Sequence, residues 1–207
     1  MNLEKLKDAE AYFYELYPKG FEDEAMAVIR KRHNTAKISE QVHEMFSKDK
    51  FGQPELICEA YSKIVSKSSL ISLFEKPKVR DMVKGMSVGQ KDMLSIALYE
   101  LLYGDKKEGF NDLIEILAEN KLAKWSLVSL LPYYFYRDKE YFIKPTTTKN
   151  VIKHFELPDL VYKPRPSFEF YEAYTKVLEQ MKKKVNINTT DNAAFTGFLM
   201  ISMEDNS

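Results

Sequence analysis

The string in this chain that most resembles a metal-binding motif is His43-Glu44-Met45-Phe46-Ser47. It matches the start of the H-E-x-x-H pattern, in which two histidines one helical turn apart bind zinc and the glutamate acts as a general base. A serine stands where the second ligand would be, so this turn offers one imidazole. The other histidines, His33 and His154, are remote in sequence. We therefore expect no metal site.

Other chemistries are disfavoured because their motifs are missing. The chain contains neither G-x-x-x-x-G-K-[ST] nor G-x-G-x-x-G after a strand, so it lacks the usual cradles for nucleotide phosphates. It also lacks G-x-S-x-G and paired C-x-x-C motifs. Asp159 is followed by Glu169, but no lysine completes the E-x-K triplet of restriction-type nucleases. We expect no cofactor, and the enzyme alternative requires an unfamiliar site such as His154 with a distant carboxylate.

The stretch 122–166 concentrates the unusual residues of the chain, including its only tryptophan and five of its eight prolines. Its aromatic run alternates with cations, and two interpretations are open. Exposed rings could stack on bases of single-stranded nucleic acid while the cations bind phosphates. Alternatively, the rings pack where helices meet, which we favour because large aromatic side chains are mostly buried. The residues are Tyr133, Tyr134, Phe135, Tyr136, Tyr141 and Phe142, with Arg137, Lys139 and Lys144.

The same region carries a local excess of positive charge. The whole chain has 31 basic and 31 acidic residues, so no global field attracts it to a polyanion. Residues 137–166, however, hold seven cations and four anions, a net charge of +3. The prolines of Lys163-Pro164-Arg165-Pro166 enforce an extended backbone that could present both cations to a phosphate. The candidate binding residues are Lys144, Lys149, Lys163 and Arg165.

Hydrophobic periodicity of 3.6 residues indicates the elements that must position these residues. It predicts an all-α protein, an irregular multi-helix bundle with at most one or two very short strands. The candidate strands are 141–144 and 160–162. The helix that begins at Ser87 is apolar around most of its circumference, so we expect it at the centre. Predicted helices cover 3–16, 21–32, 35–46, 54–64, 69–75, 77–84, 87–104, 110–117, 125–131, 167–185 and 191–201.

Domain organisation and location follow from composition. No low-complexity linker interrupts the chain, so we predict one helical domain over 1–207, with a division into 1–85 and 86–207 as the alternative. The single Cys58 cannot form an internal disulfide, and the first residues lack the apolar core of a signal peptide. The most apolar window, 94–102, is far shorter than the ~20 residues of a membrane span. We expect a cytoplasmic protein.

Four strings in the C-terminal half suggest a resemblance: AKWSLV at 123–128, LPYY at 131–134, YFIKPTTTK at 141–149 and YKPRPSF at 162–168. With Tyr171, they make residues 110–199 resemble a recurrent bacterial module of uncharacterised function. The chain departs from that pattern at Phe168, where the module has a tryptophan, and at 195–200, which replaces a motif ending in tryptophan. The resemblance implies a discrete folded unit and assigns no catalytic residue.

These observations favour a binding protein over an enzyme. The leading hypothesis is a cytoplasmic binding or interaction protein, associated with nucleic acid through the four candidate cations. The alternatives are an enzyme with an unrecognised site, or a structural subunit that buries its aromatic residues against another protein. We expect nucleic acid or a protein as partner and no membrane.

Overall fold

A computed structural model describes residues 1–189 and 191–203. The prediction of an all-α multi-helix fold is confirmed, and the described residues contain no strand. Short 3₁₀ turns lie at Gly20–Glu22, Glu24–Met26 and Lys48–Gly52. The α-helices are Leu3–Leu16 (α1), Ala27–His33 (α2), Thr35–Met45 (α3), Pro54–Lys67 (α4), Glu75–Gly85 (α5), Val88–Tyr103 (α6), Lys106–Glu119 (α7), Trp125–Phe135 (α8), Pro145–His154 (α9), Phe168–Lys182 (α10) and Asn192–Ile201 (α11).

Side-chain caps explain where several helices begin. The hydroxyl of Ser87 accepts from the backbone N–H of Gln90, whose side chain accepts from the backbone N–H of Ser87, completing the predicted capping box of α6. The side chains of Ser167 and Asp191 each accept from the backbone N–H three residues further on, and they cap α10 and α11 as their sequence positions predicted. Asp105 caps α7 by accepting two backbone N–H groups. Local sequence therefore determines these boundaries.

Helix α6 lies among α4, α7 and α8, with its Leu94, Leu98 and Leu101 buried. Gly109 of α7 lets the two helices approach closely, because a Cβ there would lie 2.2 Å from the backbone nitrogen of Leu101. The expectation that α6 lies at the centre, surrounded by other helices, is only partly correct. Met93 and Ile96 are exposed, so one side of α6 faces solvent.

The aromatic run is part of the core. Helix α8 continues through Pro132 and ends within the run, at Phe135. Tyr133, Tyr134 and Tyr141 are fully buried, and only Tyr136 and Phe142 are partly exposed. The hydroxyl of Tyr134 lies 2.9 Å from Ser68 Oγ, which ties α8 to the turn after α4. The packing interpretation is therefore confirmed, and a base-stacking platform built on this run is wrong.

Several sequence predictions of local structure are wrong. The helix predicted over 21–32 begins only at Ala27, after two 3₁₀ turns. Residues 69–75 form turns, and the first helical residue there is Glu75. Residues 145–154 form α9, for which no helix was predicted. The candidate strands at 141–144 and 160–162 have no regular secondary structure. The segment 145–154 contains three consecutive threonines, followed by valine and isoleucine. Because these β-branched residues have low helix propensity, they mask the helical pattern.

Candidate cationic surface on helix α9

Helix α9 presents one polar face to solvent because its other face is buried. Pro145 occupies its first turn, where a missing N–H costs nothing. Thr147, Thr148 and Val151 are buried, with Thr147 against Met200 of α11. The opposite stripe has the spacing of one helix face and is exposed: Thr146, Lys149, Asn150 and Lys153.

This exposed stripe carries only positive charge. Lys149 and Lys153 stand one turn apart, and Lys144 precedes the helix at the N-cap position. No aspartate or glutamate occurs from 141 to 155. The next carboxylate, Glu156, is held by Lys5 at 2.8 Å. The surface is therefore locally positive although the whole chain is neutral.

A hydrogen bond from Trp125 holds the backbone of Lys163 close to the exposed stripe of α9. The Trp125 indole N–H donates to the carbonyl oxygen of Lys163 at 2.8 Å, and the Trp125 ring lies 6.3 Å from that of Tyr162. The Tyr162 ring also faces the Lys149 ammonium, whose Nζ is 5.9 Å from the ring centroid. Lys149, the partly exposed Tyr162 and Lys163 are thus neighbours. We call Lys144, Lys149, Lys153 and Lys163 the α9 cationic surface.

The candidate cations differ in whether a carboxylate neutralises them. Arg165 pairs with Glu115, with 2.6 Å between its Nη2 and the Glu115 Oε1. No lysine of the α9 cationic surface forms an ion pair with a carboxylate in the described residues. An exposed pair such as Arg165–Glu115 adds little stability, but it reduces the charge available to a ligand. Among the described residues, three of the four predicted cations, Lys144, Lys149 and Lys163, thus have no carboxylate partner.

At the start of α9, the positive surface extends towards α2. The imidazole Nδ1 of His33 lies 2.9 Å from Ser69 Oγ. Burial of His33 and the positive charges of Arg32 and Lys144 lower its pKa below the ordinary value of 6.5. Lys144 is therefore electrostatically coupled to α2, and Arg30 to His33 form an uninterrupted basic run there.

Sequence reasoning missed several residues at this surface. Lys153 was counted in the basic excess but not selected, because its spacing from Lys149 is informative only once α9 is known to be a helix. Arg32 belongs to a basic run that was itself a visible signal. The place of Tyr162 depends on contacts between distant segments, for which the sequence offers no signal.

The structure gives no support to the example of an enzyme site built on His154. Within the described residues, no carboxylate hydrogen-bonds this imidazole, which packs against the Phe155 ring at 4.7 Å.

Two open clefts, of about 400 and 600 Å³, contain no histidine, cysteine, serine, threonine or tyrosine in their linings. In the same part of the chain, no three His, Cys, Asp or Glu side chains are grouped closely enough to hold a metal ion. None of its helices is long and apolar enough to cross a membrane.

Comparisons of the chain with models of protein families, with curated proteins and with solved structures give no match. The resemblance of residues 110–199 to a recurrent bacterial module therefore stays a prediction.

The lowered pKa of His33, to which Lys144 contributes, predicts that the protein becomes less stable at low pH. Because the folded pKa of His33 lies below its ordinary value, the unfolded chain binds more protons between these two values, and stability falls as the pH drops below about 6.5. His154, whose pKa is lowered by burial and by Lys5, acts in the same direction.

We expect Lys144→Gln to raise the pKa of His33 and to leave that of His154 unchanged in an NMR titration. Lys5→Gln should do the reverse. An unchanged His33 pKa in Lys144→Gln would contradict the placement of Lys144 beside His33.

Proposed function

We propose that this protein binds nucleic acid through phosphate contacts of the α9 cationic surface, without reading base sequence. The observation that supports this most directly is a row of exposed lysines with which no carboxylate of residues 1–189 or 191–203 forms an ion pair. Phosphate backbones carry closely spaced negative charges, and lysines provide most of the attraction in sequence-independent binding. The exposed stripe of α9 contains no apolar side chain, which suits a polyanion better than an apolar protein surface.

The buried aromatic run restricts how bases could be contacted. Its rings are unavailable for stacking, so Tyr162 offers the only partly exposed ring that we find between lysines of the α9 cationic surface in the described residues. Without a set of polar groups aimed at base edges, phosphate contacts position a protein but carry no sequence information. We therefore expect similar affinities for unrelated sequences of the same length and strandedness.

The test is equilibrium binding to short single- and double-stranded DNA and RNA of mixed sequence, followed by fluorescence anisotropy. At low salt, we expect binding to oligonucleotides of unrelated sequence with affinities that differ little. Four lysine contacts to duplex DNA should give a slope of log K against log salt of about −3.6. Absence of binding to all of these ligands at low salt would reject the proposal.

We also propose that the protein is located in the cytoplasm. The single Cys58 is buried, and burial raises its thiol pKa to about 12, so it is poorly suited to redox chemistry. A nucleic-acid ligand would also be met in that compartment.

A further inference from the structure

A second surface combines exposed apolar side chains with positive charge. Leu73 and Phe74 are 78% and 82% exposed, and they lie next to each other in the turn that joins α4 to α5. Both side chains are therefore mostly in contact with solvent, and neither lines either of the two clefts described above. We call this pair the 73–74 tip. Two adjacent large apolar side chains exposed to this degree are costly in water and indicate a site of interaction.

The turn that carries the tip is well anchored. Ile71 is buried beneath it, and Ser68 Oγ accepts from the backbone N–H of Leu70 while contacting the hydroxyl of Tyr134. Closer to the tip, Ser72 Oγ accepts from the backbone N–H of Phe74 at 3.2 Å. The turn therefore presents the tip in a fixed conformation, which reduces the entropy lost on binding.

Positive charge surrounds the tip in sequence. Residues 62–80 contain five cations, Lys63, Lys67, Lys76, Lys78 and Arg80, and one anion, Glu75, for a net charge of +4. Arg80 contacts Asp81 at 3.6 Å, and Lys67 donates to a neutral amide, Gln41. Lys63, Lys76 and Lys78 form no ion pair with a carboxylate in residues 1–189 or 191–203.

Helix α2 extends this surface. It has no buried residue, and its Val28 is exposed together with Lys31 and Arg32. The contact between His33 and Ser69 joins the C-terminal end of α2 to the turn that carries the tip. Apolar and basic side chains are thus mixed on one part of the molecule.

We propose that the 73–74 tip inserts into the interface of a membrane rich in anionic lipids, while Lys76 and Lys78 contact the headgroups. A nucleic acid has no apolar layer for Leu73 and Phe74, and a protein partner would need a complementary groove to accept a convex tip. A lipid interface accepts a projecting apolar wedge, and nearby lysines strengthen the attachment to anionic headgroups. The zero net charge behind the expectation of no membrane partner describes the whole chain and not this surface.

The test is co-sedimentation of the full chain with vesicles of phosphatidylcholine, with and without phosphatidylserine. We expect binding to vesicles that contain phosphatidylserine, and at least about tenfold weaker binding to phosphatidylcholine alone. The variant Leu73→Ser/Phe74→Ser should lower the partition coefficient at least about tenfold. Lys76→Glu/Lys78→Glu should lower it similarly and remove most of its salt dependence.

The matched control is Val88→Ser, because Val88 is 78% exposed but lies at the start of α6. It should bind vesicles like the wild type. Circular dichroism of each variant should show an unchanged unfolding midpoint, since the substituted side chains are mainly outside the core. The proposal is overturned if the wild type does not bind phosphatidylserine vesicles at low salt, or if Leu73→Ser/Phe74→Ser binds them as well as Val88→Ser does.

Discussion

Replacing Trp125 with alanine is expected to lower the free energy of unfolding by about 3–5 kcal/mol, the usual cost of truncating a buried tryptophan. The indole is almost completely buried and contacts the rings of Tyr162 and Phe170. It also holds the backbone of Lys163 by a hydrogen bond. Small domains are stable by only about 5–15 kcal/mol, so this loss is a large fraction of the total. Urea unfolding followed by circular dichroism measures it, because the variant lacks the only tryptophan.

Trp125→Phe separates packing from the hydrogen bond. It retains a ring in the core but leaves the carbonyl of Lys163 without its indole donor, so we expect a smaller loss of about 1–3 kcal/mol. Limited proteolysis between Tyr162 and Arg165 should accelerate more in Trp125→Ala than in Trp125→Phe. A loss below about 1 kcal/mol in Trp125→Ala would show that Trp125 does not anchor this segment.

Replacing Asp191 with alanine is the second substitution with a large expected effect. Asp191 is 7% exposed, pairs with the guanidinium of Arg137 and accepts from the backbone N–H of Ala194 at the start of α11. Its removal leaves the Arg137 guanidinium, whose side chain is 27% exposed, without its carboxylate partner, and it removes the cap of α11. We expect the two losses together to lower the free energy of unfolding by about 2–4 kcal/mol. Urea unfolding followed by circular dichroism should show the lower midpoint.

The double variant Arg137→Met/Asp191→Asn is the control for the unpaired charge. It removes both charges and keeps a capping oxygen at 191, so we expect it to be more stable than Asp191→Ala. Glu169→Ala, which breaks the exposed pair with Lys107, should change stability little. If Asp191→Ala were as stable as Glu169→Ala, the Arg137–Asp191 ion pair would not be an important contact of this fold.

Much of the fold could be predicted because local signals were strong. Caps at Ser87, Ser167 and Asp191 located three helix starts, and apolar periodicity located most helices. Helix α9 was missed because its threonines, valine and isoleucine favour extended structure when the sequence is considered alone. In the folded protein, the buried side of α9 packs on α11, and this tertiary contact outweighs the weak propensity.

The candidate site could be predicted only in part. The basic excess identified Lys144, Lys149 and Lys163, which are exposed and form no ion pair within the part of the chain that the structure describes. It could not show that Arg165 pairs with Glu115, since fifty residues separate them. Charge counting along the sequence gives the net charge of a segment, but the three-dimensional pairing of each cation decides how much charge a ligand meets.

The salt dependence of DNA binding in lysine variants tests the proposed function most directly. Lys149→Gln/Lys153→Gln removes two cations one turn apart on α9, and Lys63→Gln/Lys67→Gln removes two with the same spacing on α4. Each phosphate contact contributes about −0.9 to the slope of log K against log salt. We expect the α9 variant to reduce a slope of about −3.6 to about −1.8, and the α4 variant to keep the wild-type slope. An unchanged slope in the α9 variant would contradict the assignment of phosphate binding to this surface.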